Sequence, residues 1–308
     1  MNLTDNQRDR ARGVLLGTAG GDALGAGYEF GYPTHETAIA MIGGGAFDWA
    51  PGEWTDDTSM ALCVASALEI GGDVDEVAAN FRAWFAVNPP DVGNQTRKVL
   101  SQRSSTGSEM TAVAASLTGR TGGNGSLMRT APVALAYLDD VTGCRAAAER
   151  ISALTHSDPR AGQACQLWSH AIRHAVLHGT YDGIADFLRH EEPDVRDFWQ
   201  PLLDSAREGE PTDFPENGWV VHALQTAWWA IHRAADASLP LPAALELCVR
   251  AGGDTDTTAA IAGGLLGARW GASAVPTQWR ELVHGYPGLR ADDLDRIAIA
   301  IAERKDDA

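Results

Sequence analysis

Apolar residues recur at three- and four-residue intervals along most of this chain, the spacing of one buried helix face. The pattern predicts helices over 5–25, 57–70, 74–87, 95–103, 126–138, 143–154, 160–178, 219–234, 241–251, 257–269 and 292–303. Helix starts carry cap residues: Thr4 or Asp5 for the first, Asp57 for the second, Asp158-Pro159 near the seventh. Runs of alternating Val, Ile, Thr or aromatic residues are short, so strands are scarce. Gly and Pro mark loops at 31–34, 43–53, 88–94, 119–125, 209–218 and 284–288. No Gly/Ser/Pro-rich linker divides the chain, so one all-helical domain over 1–308 is expected. Nothing recurs at a fixed period, which excludes a solenoid.

Composition refines this picture. With 308 residues, 44% of them hydrophobic, the chain can bury a large core. Its 24 Lys+Arg against 41 Asp+Glu give a formal charge of −17, which argues against a stable nucleic-acid partner or an anionic membrane surface. Cys63, Cys144, Cys165 and Cys248 stand far apart with no CxxC pair, so neither a disulfide framework nor a zinc site is suggested. The opening "MNLTDNQRDRARGVLLGTAGGDALG" lacks a long apolar core before a cleavage site, and no stretch reaches transmembrane length. A reduced, cytoplasmic protein without membrane insertion is the expectation.

Two segments depart from ordinary helix capping. "GEWTDDTSMALCVASALEI" (52–70) and "GGDTDTTAAIAGGLLGARW" (252–270) each crowd carboxylates and hydroxyls where a helix begins. Asp and Thr are favoured caps, which accounts for one or two of these residues per helix. Capping leaves Asp56 beside Asp57, and Asp254 two positions before Asp256, unexplained. Crowded carboxylates repel and raise one another's pKa values, and no Lys or Arg lies within either cluster, 55–58 or 254–258. A hard divalent cation such as Mg²⁺ or Mn²⁺ takes these oxygens as ligands. Taken together, the two segments favour a shared metal site.

Further polar positions are weaker alone. In "GGDALGAGYEFG" (20–31), Asp22 and Glu29 share a face if the helix continues. Asp91 and Asn94 lie in a Pro/Gly turn that opens a helix. In "GRTGGNGSLMRTAP" (119–132), Gly122 to Gly125 precede a helix start near Ser126 and offer backbone N–H groups to a phosphate, without a Walker lysine. "THSDP" (155–159) places His156 at a helix–loop–helix corner.

The order "GDALGAGYE", "WTDDT", "DVGNQT", "GGNGSLMR", "THSDP", "GGDTDT" resembles the ADP-ribosylglycohydrolase family over residues 10–270. The resemblance implies a compact orthogonal bundle of helices holding two divalent cations, Mg²⁺ or Mn²⁺. It implies hydrolysis of the bond between ADP-ribose and a modified side chain, the partner being an ADP-ribosylated protein or an ADP-ribose derivative. Carried over by motif, the metal ligands are Thr55, Asp56, Asp57, Asp254, Asp256 and Thr257. Asp57 and Asp256 form the electrostatic core of catalysis, and Glu29 and Asp91 are the candidate proton handlers. Asp91 and Asn94 match residues near the distal ribose. Gly123, Asn124, Gly125 and Ser126 match the diphosphate loop, His156 a substrate-contacting histidine, and Trp219 in "NGWVVHAL" the aromatic that stacks on adenine. The acidic balance suits a cationic acceptor and points to arginine over serine. The alternatives are a serine-linked or small-molecule substrate, or a binding module without catalysis.

Overall fold

The computed structural model describes residues 2–304, and fifteen α-helices carry nearly all of its regular structure. The first half comprises α1 (Asp5–Gly25), α2 (Asp56–Glu69), α3 (Val74–Ala86), α4 (Asn94–Leu100), α5 (Gly107–Ser116), α6 (Ala131–Ala136) and α7 (Val141–Ala153). After α8 (Pro159–His178) come α9 (Gly183–Arg189), α10 (Pro193–Glu208), α11 (Val220–Asp236) and α12 (Leu241–Ala251). The chain closes with α13 (Thr255–Trp270), α14 (Thr277–Leu282) and α15 (Ala291–Ala302). Between the last two, β1 (His284–Gly285) and β2 (Leu289–Arg290) form an antiparallel pair, His284 opposite Arg290.

Two helices form the axis of the molecule. The second half of α1 and nearly all of α13 are buried on every side, so neither shows the one-sided apolar stripe of a surface helix. They meet along a seam of small residues. Gly13, Gly17 and Gly21, one turn apart on α1, face Gly267, Gly263 and Ala259 on α13, and Gly25 faces the backbone of Thr255 and Asp256. A Cβ on any of those four α1 glycines would overlap α13 backbone, so the contact is backbone against backbone. Around this pair, α8, α11 and α12 pack on α13, while α15 packs on both α1 and α2. One contiguous apolar cluster runs through all of these elements.

Periodicity located most helices and missed four. At seven and six residues, α9 and α14 are too short to display a period, and α10 carries Pro201 in its interior. The Ala- and Ser-rich α5 has few large apolar side chains to mark a face. The helix expected over 126–138 divides into a single 3₁₀ turn, Asn124–Ser126, and α6, which starts after Thr130 with Pro132 in its first turn. Thr4 caps α1 in a reciprocal pair with Gln7, and Asp158 caps α8. For α2 the cap is Thr55, not Asp57, because the helix begins one residue earlier than the apolar pattern indicates. α1 stops at Gly25, so Glu29 lies beyond it and the helical-face argument does not apply.

The seam generates a prediction. Gly263→Ala places a methyl group into the carbonyl of Gly17 and should cost at least about 1–3 kcal/mol. Gly162→Ala on α8 meets ordinary packing and should stabilise by about 0.5–1 kcal/mol. Parallel chemical denaturation of both variants checks the contrast; equal effects would mean that the seam is not the tight contact described.

Candidate active site

The seam ends where the two Asp/Thr segments meet. α1 delivers Asp22, fully buried, to the start of α2. Its Oδ1 accepts from the backbone N–H of Thr55 and its Oδ2 from that of Thr58, both at 2.9 Å. Asp22 therefore caps α2 from another helix and satisfies N–H groups that a helix start leaves open. Asp56 and Asp57 are thereby free for other work. Asp57 Oδ2 accepts from the hydroxyls of Thr55 at 3.0 Å and Thr257 at 3.2 Å, the second bond joining segments 200 residues apart. On α13, Asp256 Oδ1 accepts from the N–H of Thr257, and Asp254 Oδ2 accepts from the amide of Asn124 at 2.7 Å.

These groups form two overlapping sets. Oxygens of Asp22, Asp57 and Asp256 lie within 4.8 Å of one another, as do those of Glu29, Asp91 and Asp256. Burial pushes every one of these carboxyls upward, and neighbouring carboxylates push most of them further. Asp22 and Asp91 rise to about 6 and Glu29 to about 8. Asp56, Asp57 and Asp256 rise well above the ordinary range, and Asp254 rises as well. Arg97 eases Asp91, and Arg129 and Asp56 feel each other's charge only at longer range; neither pair forms an ion pair among the described residues. Asp57 Oδ1 and Glu29 Oε2 are buried without a hydrogen-bond partner among the described residues. Orphaned carboxylate oxygens in a donor set made entirely of hard oxygen atoms fit a divalent cation such as Mg²⁺ or Mn²⁺.

Above the acids opens a cavity of about 1030 Å³. Glu29, Asp56, Asp91, Asp254, Asp256 and Thr257 line one region of it. Thr55 and Asp57 lie one layer deeper, outside its surface. Asn94 opens α4 at the wall, and the loop Gly122–Gly125 lies against His156, which is 3% exposed. Trp219 precedes α11, 38% exposed, with its backbone bridged to Gly123 and its ring edge against His222. Two residues of the expected diphosphate loop have side chains committed elsewhere. Ser126 does not line the cavity: its hydroxyl points inward to Ser152 and Cys165. The Asn124 amide is committed to Asp254 and to the carbonyl of Asn217, so its side chain supports the acid cluster.

Sequence reasoning passed over two residues. In the sequence Asp22 stands out only as a neighbour of Glu29, although a lone Asp amid "AGGDALGAG" signals a buried carboxylate on a close-packed helix. Gln95 ties the loop to the corner, donating to the carbonyls of Thr121 and Thr155 at 2.9 and 2.8 Å. A single Gln at a helix start carries no recognisable sequence signal.

A family model described as ADP-ribosylglycohydrolase matches residues 3–308. The chain belongs to the ADP-ribosylglycohydrolase family. Among similar proteins, this family member is 34% identical over 298 residues to an ADP-ribosylarginine hydrolase Tri1 of Pseudomonas putida (strain GB-1), covering 91% of this chain and 76% of that one. It is 31% identical to the ADP-ribosyl-[dinitrogen reductase] glycohydrolase of Rhodospirillum rubrum, covering 88% and 89% of the two chains. A solved structure titled ADP-ribosylglycohydrolase-related protein complex superposes with a TM-score of 0.77 at 30% identity, covering 97% of this chain and 99% of the other. The all-α architecture expected of the family is the one observed. Among the described residues no helix is long and apolar enough to cross a membrane.

The raised carboxyls set a pH dependence for the cation-free protein. Their folded-state pKa values exceed the ordinary 3.8 and 4.5, so their contribution to stability is complete below about pH 4. It is lost as pH rises through about 6 for Asp22 and Asp91 and about 8 for Glu29. In chelator, the melting temperature should fall between those limits, and Mn²⁺ or Mg²⁺ should raise it most at the alkaline end. Melts that are flat with pH and indifferent to cations would count against the site.

Proposed function

We propose that this protein is a metal-dependent hydrolase that cleaves the N-glycosidic bond between ADP-ribose and a modified arginine side chain. The observation that carries this reading is the joining of the two Asp/Thr segments, through Thr257 and Asp57, below a cavity walled by unpaired acids. The arginine linkage is supported by the relatives named ADP-ribosylarginine hydrolase Tri1 from Pseudomonas putida and Serratia proteamaculans, 34% and 31% identical. The acids clustered along one region of the cavity also suit a cationic acceptor.

In this reading, Thr55, Asp56, Asp57, Asp254, Asp256 and Thr257 hold two divalent cations, Mg²⁺ or Mn²⁺. When bound, the cations supply Lewis-acid polarisation of the ribose hydroxyls and of an attacking water. Trp219 stacks on adenine, the backbone of Gly123 to Gly125 with His156 takes the diphosphate, and Asp91 with Asn94 orients the distal ribose. Breaking the bond from the anomeric carbon to the guanidine nitrogen develops oxocarbenium-like charge, which the surrounding carboxylates stabilise. Burial and the neighbouring Asp91 hold the Glu29 carboxyl up at about 8, against about 6 for Asp91, so Glu29 is the more reluctant of the two to ionise. Glu29 protonates the departing nitrogen, Asp91 removes a proton from water, and the water oxygen bonds to the anomeric carbon. The chain works as one domain, and its four buried free cysteines suit a reducing cytoplasm.

Incubation with ADP-ribosyl-arginine, ADP-ribosyl-serine and O-acetyl-ADP-ribose, with and without chelator, tests this assignment. Free ADP-ribose should appear fastest from the arginine substrate, stop in chelator and return with Mn²⁺ or Mg²⁺. Faster cleavage of the serine linkage would overturn the acceptor assignment, and full activity in chelator would overturn metal dependence. Glu29→Gln should lower kcat by about 10²–10⁴-fold, the range for a lost general acid, while ADP-ribose binding persists.

Trp219→Ala should weaken ADP-ribose binding by roughly ten- to a hundred-fold, because base stacking is worth about 1–3 kcal/mol. Adenine lies far from the bond that breaks, so KM should rise more than kcat falls. Trp219→Tyr should bind nearly as the parent does. Calorimetry with ADP-ribose measures both variants, and normal binding by the Ala variant would place the adenine elsewhere.

A further inference from the structure

Arg129 ends the segment "GGNGSLMR", yet it reaches neither the cavity nor an acid. Its side chain is wholly buried, with no carboxylate in ion-pair contact among the described residues. One terminal nitrogen donates to the Ile151 carbonyl at 3.2 Å and to the Thr155 hydroxyl at 2.8 Å. The other meets the Met60 sulfur at 3.8 Å, and the guanidinium lies 4.4 Å over the Phe81 ring. Burial lowers its pKa to about 10, which leaves it charged at neutral pH. A buried cation without a paired acid is costly, so its remaining contacts call for a purpose.

The Thr155 hydroxyl has two partners, the Arg129 guanidinium and His156 Nδ1 at 2.7 Å. Arginine can only donate, so the threonine oxygen accepts from it. The hydroxyl proton, fully buried, then has one acceptor among the described residues, His156 Nδ1. With Nδ1 accepting, the neutral imidazole carries its proton on Nε2. Burial and the Arg129 charge both push the His156 pKa well down, which keeps the ring neutral. Nε2 lies under the Gly-rich loop, where a Cβ on Gly123 or Gly125 would approach it to 3.3 Å. The two glycines leave that nitrogen open to a ligand.

We propose that Arg129, acting through Thr155, is a positioning residue that fixes His156 as a neutral Nε2–H donor aimed at the anionic diphosphate of the ligand. The assignment rests on reading the cavity as an ADP-ribose site. Reversing the Thr155–His156 bond would leave the buried Thr155 hydroxyl proton without an acceptor among the described residues, because the arginine has none to offer.

Nitrogen NMR of histidine-labelled protein, with the His156 signals assigned by their loss in His156→Gln, reads the tautomer directly. The parent should show an unprotonated Nδ1 and a protonated Nε2 throughout the range of about pH 6 to 8 in which a free histidine titrates. Thr155→Val keeps the shape but removes the hydroxyl. It should mix the two tautomers, weaken ADP-ribose binding about ten-fold and raise KM more than it lowers kcat. Thr155→Ser should restore both the spectrum and the binding. A parent His156 with its proton on Nδ1, or a folded Thr155→Val that binds ADP-ribose normally, would overturn the relay. Should the Val variant fail to fold, the parent spectrum alone decides the tautomer. A parent protein that binds no ADP-ribose overturns the positioning role together with the cavity reading. Normal parent binding with an indifferent Val variant overturns the relay alone.

Discussion

Asp22, Asp57 and Asp256 come together from three helices with no paired cation to offset them, and the chain has to hold them there against their own repulsion. Three devices accomplish this. The α1–α13 seam brings the end of one helix to the start of another. The Asp22 carboxylate is tied to two N–H groups of α2, which fixes the approach of a third. Thr257 and Thr55 then donate to one oxygen of Asp57, leaving the other without a partner. Each device satisfies backbone or hydroxyl groups while leaving net negative charge in place, which is the condition for holding a cation.

Helix starts serve two purposes here. Asp56, Asp57 and Asp256 sit in the first turns of α2 and α13, where the positive end of the helix dipole lowers the cost of negative charge. On α2, Asp56 and Asp57 look like redundant caps in the sequence but use that dipole without closing the cap. The capping itself falls to Thr55 and to Asp22 from elsewhere in the chain.

The sequence made the helical class and both acid segments legible, because helix period and charge crowding are local properties. The meeting of those segments was not readable from spacing, since it depends on a bond between Asp57 and Thr257, 200 positions apart. Asp22 went unrecognised for a related reason: its role is to cap a helix it does not belong to. Ser126 and Asn124 show the same limit for side chains. Their motif placed them at the loop correctly, but rotamer choice turned one hydroxyl inward and spent one amide on Asp254. Side-chain direction is settled by neighbours that arrive from distant sequence, such as Ser152, Cys165 and Asn217.

Glycines supply most of the seam between α1 and α13, so its formation freezes almost no side-chain rotation. It also contains no rotamers that can switch. Two helices in backbone contact have no alternative packing a fraction of an ångström away, as two leucine-faced helices do. The spacing between Asp22 and Asp256 is therefore set by van der Waals contact between two helix backbones, a stiffer ruler than contact through side chains. Temperature, ligand or surface mutation can rearrange the loops around the cavity without lengthening that ruler.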